Sequence, residues 1–306
     1  APTGYYMLGR PRCVAFSDIT DVRIPFAFNG NTTPFTFNKY PNEDGYGSDA
    51  SEVEFLPYCY MELYLGKDKA FWRSKDGGVT WDSLYGFNDK VKKFEICRSN
   101  PKTIYLAATS AFYKSTNGGT SWTKLSLPSG ASASRMEIAV DFVNENNLWI
   151  TSPNNSSGNR VHKSVDGGAS WINLTTPMIN GKSYKNLVHQ AGTNGGVYIL
   201  TSDANVYYRN NTMSDWVSYS AGLPKNDPLL SKAFYRNGKL RTAGNRGIWE
   251  TDFYEPSSPL AQPMVNKLSG VNCPADTFYF DSYSVLTENI GNYSYSWDFP
   301  GASFVS

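Results

Sequence analysis

The stretches RSKDGGVTW (73–81), KSTNGGTSW (114–122) and KSVDGGASW (163–171) share one pattern, and this pattern decides the fold of the 306-residue chain. Each stretch has a Ser, an Asp or Asn, a Gly, a hydroxyl residue and a Trp at fixed offsets. The matching positions are Ser74, Asp76, Gly78, Thr80 and Trp81, then Ser115, Asn117, Gly119, Ser121 and Trp122, and finally Ser164, Asp166, Gly168, Ser170 and Trp171. Recurrence of such a pattern at intervals of about 40 to 50 residues predicts a repeat architecture.

The pattern has the chemistry of a tight turn between two β-strands. An Asp or Asn side chain accepts hydrogen bonds from backbone amides ahead of it and tolerates left-handed backbone geometry. The Gly pair supplies the positive φ angles that residues with a Cβ resist. The Trp then opens the next strand, and its ring covers the turn. None of these groups is arranged for bond breaking, so we interpret the pattern as a folding element.

Six segments of the chain share a common plan around these turns. In each, a short apolar run, a polar turn and a second β-rich run follow one another. The segments begin at Val14, Val53, Phe94, Ile138, Leu187 and Ser231, which is 39 to 49 residues apart. This spacing is the length of a four-stranded propeller blade. We therefore predict an all-β fold, with a β-propeller of about six four-stranded blades in residues 1–254.

Three parts of the repeat depart from this plan. The turn YRNNTMSDW (208–216) is a worn copy that keeps Asn211 and Trp216 but has lost its Gly. In the first unit, a polar, Gly-rich loop at 30–51 stands where the turn is expected. Residues 1–12 either supply the outer strand of the last blade, which closes the ring, or are the end of a blade that lies upstream.

The three intact turns resemble the Asp-box (BNR) repeat of sialidases, sortilin-like receptors, xyloglucanases and many secreted bacterial β-propellers. In those families the box lies at the outer rim of a blade and is a folding element outside the active centre. The resemblance therefore implies a structural role for the fifteen pattern residues. It implies no catalytic role for them.

The composition of the chain changes after the repeats. The run EPSSPLAQP (255–263) contains three Pro in nine residues, which is typical of a linker. Residues 264–306 alternate apolar and polar side chains, and YSYSWDFPGAS (293–303) resembles the central strand motif of PKD domains, which are immunoglobulin-like β-sandwiches. Because about half of such a domain is present, we expect the natural polypeptide to continue beyond Ser306.

Asp boxes followed by a Pro-rich linker and a PKD-like start resemble the large surface proteins secreted by Bacteroidetes-type bacteria. The resemblance implies an extracellular or outer cell-surface location. It also implies a display or adhesion role, in which a protein, a glycan or further copies of the chain are the partners.

Composition excludes several other classes of function. The chain has 28 basic and 27 acidic residues, so it has no basic excess that indicates nucleic-acid binding. No stretch approaches 18 apolar residues, so no membrane span is predicted. Cys13, Cys59, Cys97 and Cys273 have neither CxxC spacing nor a nearby His pair, which argues against a zinc site. They are either disulfide-bonded or isolated buried thiols, and we expect no cofactor.

A glycoside hydrolase is the alternative function. Arg23-Ile24-Pro25 lies 51 residues ahead of Ser74 and resembles the Arg-Ile-Pro element of sialidases, in which three arginines bind the substrate carboxylate. The other candidates for such a site are Arg160, Arg236, Arg241 and Arg246, with Asp44 or Asp49 as the acid. However, Arg23 falls where the repeat places an ordinary strand, and Val22 stands where the family has an aromatic residue. We therefore favour a non-catalytic module.

Other catalytic constellations are weaker still. A glycosidase of xyloglucanase type needs two Asp on opposite walls of a cleft, and no Asp pair is distinguished by its sequence context. His162 and His189 fall within predicted blade strands or their connections, and neither has a plausible nucleophile beside it in sequence. We interpret both as packed or solvated residues.

Two features of the first unit are candidates for ligand binding. The segment NEDGYGSDASEVE (42–54) is acidic and contains Gly, as calcium loops do, but it lacks the EF-hand order of ligands. We interpret it as a solvated loop, with a weak Ca²⁺ site as the alternative. The aromatic residues of the same polar region are candidate ligand contacts, although they can equally pack the loop onto its own blade. They are Phe35, Phe37, Tyr40 and Tyr46.

Overall fold

The computed structural model describes residues 6–9, 50–55, 62–75, 80–153, 158–224, 232–236, 239–244, 247–258, 260–261, 263–265, 280–282 and 296. This part of the chain is all β, and most of its strands form five four-stranded antiparallel sheets.

The strands of the five sheets follow one another along the chain. After β1 (Tyr6–Gly9), sheet 1 contains β2 (Ala50–Phe55), β3 (Leu63–Lys67), β4 (Ala70–Ser74) and β5 (Asp82–Gly86). Sheet 2 contains β6 (Val91–Ile96), β7 (Ile104–Ala108), β8 (Phe112–Ser115) and β9 (Thr123–Leu125). Sheet 3 contains β10 (Glu137–Val140), β11 (Leu148–Ser152), β12 (Arg160–Ser164) and β13 (Ile172–Asn173). Sheet 4 contains β14 (Tyr184–Gln190), β15 (Gly196–Thr201), β16 (Val206–Arg209) and β17 (Val217–Ser218). Sheet 5 contains β18 (Lys232–Arg236), β19 (Lys239–Gly244) and β20 (Gly247–Asp252), with β1 as its fourth strand.

The sheets pack side by side through their first strands. Strand β2 contacts β6, β6 contacts β10, β10 contacts β14, and β14 contacts β18. The second strands β7, β11 and β15 are buried at every residue, whereas the outer strands β9 and β13 are mostly exposed. This gradient arises because a mid-sheet strand is covered on both faces by the neighbouring sheets. It is the arrangement expected of successive blades around one axis.

A separate apolar core fills each interface between neighbouring sheets. Each core joins side chains from strands of both sheets, and full burial of each large side chain contributes about 1.5–3 kcal/mol. Phe71, Phe94 and Leu106 lie between sheets 1 and 2; Tyr105, Phe112 and Ile150 between sheets 2 and 3; Trp149, Val197 and Trp216 between sheets 3 and 4; and Tyr198, Tyr208 and Leu240 between sheets 4 and 5.

Strand β1 decides the role of the N-terminal residues. It pairs antiparallel with β20 and places Tyr6 opposite Glu250 and Met7 opposite Trp249, so sheet 5 has the order β1-β20-β19-β18. Of the two alternatives left by the sequence, the structure takes the first: the N-terminal strand is the outer strand of the last sheet. A propeller that closes in this way ties the two ends of its ring together by backbone hydrogen bonds.

The predicted repeat is confirmed in five of its six units. The expected starts at Val53, Phe94, Ile138, Leu187 and Ser231 lie within three residues of the first residues of β2, β6, β10, β14 and β18. The unit that begins at Val14 lies outside the described residues.

The region after the propeller is described only in part. Strands β21 (Pro263–Val265) and β22 (Phe280–Ser282) form a two-stranded antiparallel sheet of their own, in which Val265 lies opposite Phe280. Strand β21 therefore begins at the last residue of the predicted linker. Most of 264–306 lies outside the described residues, so the PKD-like module stays a prediction.

Candidate functional site

Two of the three pattern turns lie entirely within the described residues, and they have the same hydrogen bonds. In the turn between β12 and β13, the Ser164 hydroxyl accepts from Gly168 N at 2.8 Å and donates to Asp166 Oδ1 at 2.7 Å. Asp166 Oδ1 also accepts from Ser170 N at 2.9 Å. The turn at 114–122 repeats all three bonds with Asn117 in place of the Asp. These side chains bond to one another and to their own backbone.

The second Gly of each turn contacts the preceding sheet. Gly119 and Gly168 have φ angles of +87° and +89°, a region in which side chains with a Cβ are strained. A Cβ on Gly119 would lie 2.5 Å from the Phe71 ring of sheet 1, and one on Gly168 would lie 2.8 Å from Leu125 of sheet 2. The turns therefore fit tightly against the sheet before them.

The carboxylate of Asp166 makes the stability of its turn depend on pH. Hydrogen bonds from the Ser170 side chain and backbone, and then from Ser164, lower the pKa of Asp166 from 3.8 to about 2. Because the folded-state pKa is depressed, this stabilisation is present above about pH 4 and is lost as the pH falls towards 2. We expect Asp166→Asn to lose less stability than the wild type between these pH values, as measured by urea unfolding midpoints.

The neighbouring turn supplies the reciprocal control for this experiment. Asn117 occupies the equivalent place there and shows that an amide fits the turn. Asn117→Asp should add the acid sensitivity that Asp166→Asn removes. If the wild type, Asp166→Asn and Asn117→Asp all lose the same stability as the pH falls from about 4 to about 2, the explanation is contradicted.

The other two copies of the turn are described less completely. In the first, Ser74, Thr80 and Trp81 are described, whereas Asp76 and Gly78 lie outside the described residues. In the worn fourth copy, Asn210 Oδ1 accepts from Thr212 N at 2.9 Å. Asn211, which we expected to hold this turn, instead accepts from Lys163 Nζ of sheet 3 at 2.6 Å.

The described arginines of the sialidase hypothesis lie on two sheets, and Arg160 and Arg241 each have a partner of their own. On sheet 3, Arg160 Nη1 donates to Asn180 Oδ1 at 2.7 Å. On sheet 5, Arg241 forms an ion pair with Glu250. Arg236 lies on β18. The remaining candidates, Arg23, Arg246, Asp44 and Asp49, lie outside the described residues.

The two histidines are packed inside the fold. His162 lies on β12, and burial followed by the charge of Arg160 lowers its pKa to about 4. His189 lies on β14 and stacks on the Trp149 ring, with centroids 5.0 Å apart and an interplanar angle of 15°. Neither nitrogen of His189 has a hydrogen-bond partner among the described residues. Both imidazoles are therefore held neutral near pH 7.

Acidification should destabilise the fold through His189. Burial, opposed by the charge of Asp141 and assisted by that of Lys163, lowers the pKa of His189 to about 4. Since the unfolded chain binds this proton near pH 6.5 and the folded chain near pH 4, stability is lost as the pH falls between them. We expect His189→Phe, which keeps the stacking, to lose less stability than the wild type between pH 7 and pH 4.5. Thermal unfolding at each pH measures this loss. A pH dependence identical to that of the wild type would refute this assignment.

The candidate ligand contacts of the first unit cannot be placed. Phe35, Phe37, Tyr40 and Tyr46 lie outside the described residues, as does most of the acidic segment 42–54, whose last residues form part of β2. In the part of the chain that the structure describes, no group of three or more His, Cys, Asp or Glu side chains is placed to hold a metal ion. Cys97 is a buried thiol.

A cleft lies at the seam between sheets 3 and 4, and we call it the seam cleft. Its volume is about 150 Å³. Sheet 3 and the residues that follow it contribute Trp149, Lys163, Ile172 and Leu174, and the other wall consists of Gly195, Val197, Arg209, Asn210 and Asn211. These nine residues include two cations and two amides but no carboxylate. No pattern in the sequence indicated this site.

Both cations of the seam cleft are partly removed from water. Burial lowers the pKa of Lys163 and that of Arg209, and the charges of Asp141 and Asp215 respectively oppose this effect. Lys163 Nζ lies 5.3 Å from the centroid of the Trp149 ring. Two desolvated cations at one seam create a local positive potential.

The carboxylates whose charges reach these cations are hydrogen-bonded to other groups of the protein. Asp141 Oδ1 accepts from Val143 N at 2.9 Å, and Asp215 Oδ1 accepts from Trp216 N at 2.7 Å and also from the Thr176 hydroxyl. Neither carboxylate lines the seam cleft. The residues that line the cleft therefore carry an excess of positive charge, and the nearby Glu255 carboxylate accepts from Asn210.

The segment that follows β20 packs on sheet 4. The Glu255 carboxylate accepts from Tyr208 Oη at 2.7 Å and from Asn210 Nδ2 at 2.8 Å. Its carbonyl accepts from Gln190 Nε2 at 2.7 Å. Ser257 is 2% exposed, and Ser258 N donates to Gly192 O at 2.7 Å. The first residues of the predicted linker are thus packed against the sheet.

Sequence comparison gives a partial match to one family. A family model described as Sortilin-Vps10 ("Sortilin, neurotensin receptor 3") matches residues 69–171, which is about a third of the chain. No curated protein sequence matches the chain.

Several solved structures resemble the chain. The GH74 xyloglucanase from Xanthomonas campestris has a TM-score of 0.51 at 13% identity, over 76% of this chain and 39% of the enzyme. The fold is a β-propeller. An ancestral GH74 enzyme has a TM-score of 0.50 at 16% identity, over 76% of this chain and 32% of its own. The extracellular domain of a one-component system from B. thetaiotaomicron has a TM-score of 0.50 at 14% identity, over 71% of this chain and 28% of its own. The aligned part of each structure is about a third of its length, and at these identities the likeness concerns the propeller fold.

The described part of the propeller contains no helix long and apolar enough to cross a membrane.

Proposed function

We propose that this chain is a non-catalytic, extracellular β-propeller module of a large secreted or surface-attached bacterial protein. It binds a partner through the connecting turns of its blades and serves adhesion or assembly. The observation that carries the proposal is the seam cleft, where two cations and two amides from neighbouring sheets surround a space of about 150 Å³.

The contacts of the catalytic candidates support a non-catalytic module. Arg160 is bound to Asn180, Arg241 is bound to Glu250, and His189 is stacked inside an aromatic core. Groups held in this way stabilise the fold, whereas a catalytic group must reach the reacting atoms of a substrate. These residues are therefore better explained by packing than by chemistry.

The extracellular location is supported by the Asp-box and PKD-like motifs of the sequence. One structural relative is itself described as an extracellular domain. The test is to treat intact cells with trypsin and to follow the propeller with an antibody. We expect it to be degraded while a cytosolic marker survives, and full protection of the propeller would contradict the location.

The binding role is tested by deleting the propeller from the parent protein. We expect the cells to lose adhesion or surface assembly, and the purified propeller to bind at the cell surface without turning over sugars. Unchanged adhesion and unchanged assembly in the deletion strain would contradict the role.

A glycoside hydrolase is the second candidate, favoured by the likeness of the fold to GH74 xyloglucanase. The measurement is the release of reducing ends from xyloglucan and of the fluorophore from a fluorogenic sialoside. Turnover of either substrate by the purified chain would replace the binding role with an enzymatic one.

A further inference from the structure

We propose that the seam cleft binds the carboxylate of an Asp or Glu side chain on an extended segment of a partner polypeptide. This inference rests on the proposed binding function and names the chemistry that the site recognises.

The charges of the cleft carry the proposal. Lys163 Nζ donates to the neutral amide oxygen of Asn211, and Arg209 Nη1 donates to the neutral carbonyl of Leu174 at 3.3 Å. Hydrogen bonds between such cations and a carboxylate are roughly twice as strong as bonds between neutral groups. A ligand carboxylate is therefore a better partner for both cations than the acceptors that the fold supplies.

The dimensions of the cleft select a small group. Its volume of about 150 Å³ is below the range of about 300–1,000 Å³ that is usual for small-molecule pockets. This space accepts a carboxylate on one or two methylenes, and Leu174 and Val197 provide an apolar wall for those methylenes. An acidic side chain has this combination of a charged end and a short apolar stem.

The surroundings of Trp149 favour a polypeptide over a glycan. Sugar rings are commonly bound by stacking on an accessible aromatic face, but the Trp149 side chain is only 1% exposed. Its ring is stacked against His189 and lies under the Lys163 ammonium. The only aromatic residue that lines the cleft is therefore covered by the protein itself.

Exposed aliphatic side chains lie at the same end of sheet 3. Ile172, which lines the cleft, is 54% exposed. Val143, in the turn between β10 and β11, is 64% exposed, and Val165, in the turn between β12 and β13, is 51% exposed. In an antiparallel sheet these two turns are at one end. Apolar contacts beside a cationic cleft fit an acidic side chain that has aliphatic neighbours.

The experiment is an NMR titration of the isotope-labelled 306-residue chain with the capped peptide acetyl-Val-Glu-Val-amide. The matched probe is acetyl-Val-Gln-Val-amide, which has the same shape without the charge. We expect the Glu peptide to shift the amide signals of Gly195, Val197 and Asn211, and to bind roughly tenfold more tightly than the Gln peptide. Raising the salt concentration from about 0.05 to about 0.5 M should weaken binding of the Glu peptide.

Two substitutions test the cations separately. Lys163→Gln and Arg209→Gln should each weaken binding of the Glu peptide by roughly fivefold to tenfold. Lys182→Gln is the control, because Lys182 pairs with Asp203 at the opposite end of sheet 4, and it should leave binding unchanged. Thermal unfolding verifies that each variant is folded. If only one variant keeps the wild-type Tm, the affinity of that variant decides the test.

Three results would overturn the proposal. They are equal binding of the Glu and Gln peptides, tighter binding of glucuronate than of the Glu peptide at the same residues, and unchanged affinity in both cation variants. If any of them occurs while deletion of the propeller still abolishes adhesion, the cleft assignment fails and the proposed function stands. If adhesion is also unaffected by the deletion, both fail.

Discussion

Replacing Gly119 by Ala is expected to lower the free energy of unfolding by about 2–4 kcal/mol. Gly119 has a φ of +87°, and the new Cβ would lie 2.5 and 2.7 Å from two atoms of the Phe71 ring. That ring is buried and packs edge-on against Phe94 and Trp122, with centroids 5.1 and 5.2 Å away. It has no space into which to retreat, so the turn must separate from sheet 1. Urea unfolding followed by tryptophan fluorescence measures the loss.

Two other glycines separate the causes of this loss. Gly181 has a φ of +77° but open space around its Cβ position, so Gly181→Ala should cost only the backbone strain of about 1–2 kcal/mol. Gly86 has open space and no positive φ, so Gly86→Ala should be nearly neutral. If Gly119→Ala costs no more than Gly181→Ala, the contact with Phe71 contributes nothing, and the turn does not hold the two sheets together.

Replacing Glu255 by Ala is expected to destabilise the propeller by about 2–3 kcal/mol and to release residues 254–258 from sheet 4. The carboxylate accepts from Tyr208, which is fully buried, and from Asn210, which is nearly so. Loss of the carboxylate leaves both donors without this acceptor. Limited proteolysis at 255–263 should become faster, and the urea midpoint should fall.

Two variants control for this effect. Glu255→Gln keeps an oxygen for Tyr208 but directs an amide NH₂ towards Asn210, so an intermediate loss is expected. Glu145→Ala removes a Glu that accepts from Asn100 at 3.0 Å in a more exposed turn, and it should cost about 1 kcal/mol or less. Cleavage of Glu255→Ala at the wild-type rate would mean that the carboxylate does not retain the segment.

Retention of this segment would give the residues that follow a fixed starting direction. A linker free from residue 255 would let the next module sample many orientations. A linker that is hydrogen-bonded through Glu255 and Ser258 has less of that freedom. The residues that bind Glu255 are Gln190, Tyr208 and Asn210, and they lie far from the linker in sequence.

The turns could be predicted from the sequence because their bonds are local. Ser164 contacts residues two and four positions ahead, and Asp166 contacts the residue four positions ahead. Such bonds depend on a few neighbouring residue types, which leave a readable pattern. The worn copy shows the limit of this reasoning. Without the Gly, the sequence pointed to Asn211, whereas Asn210 accepts the turn amide.

The sequence by itself determined the repeat, the β class and the strand plan of five units, because turn chemistry and the alternation of side chains act over a few residues. Only the tertiary structure decided that β1 completes sheet 5, that Glu255 binds sheet 4, and that Lys163 and Arg209 meet at one cleft. The partners in these contacts are separated by 244, 47 and 46 residues respectively. Contacts of that separation form when whole sheets pack on one another, and the choice among them depends on the combined burial of many side chains rather than on any short pattern.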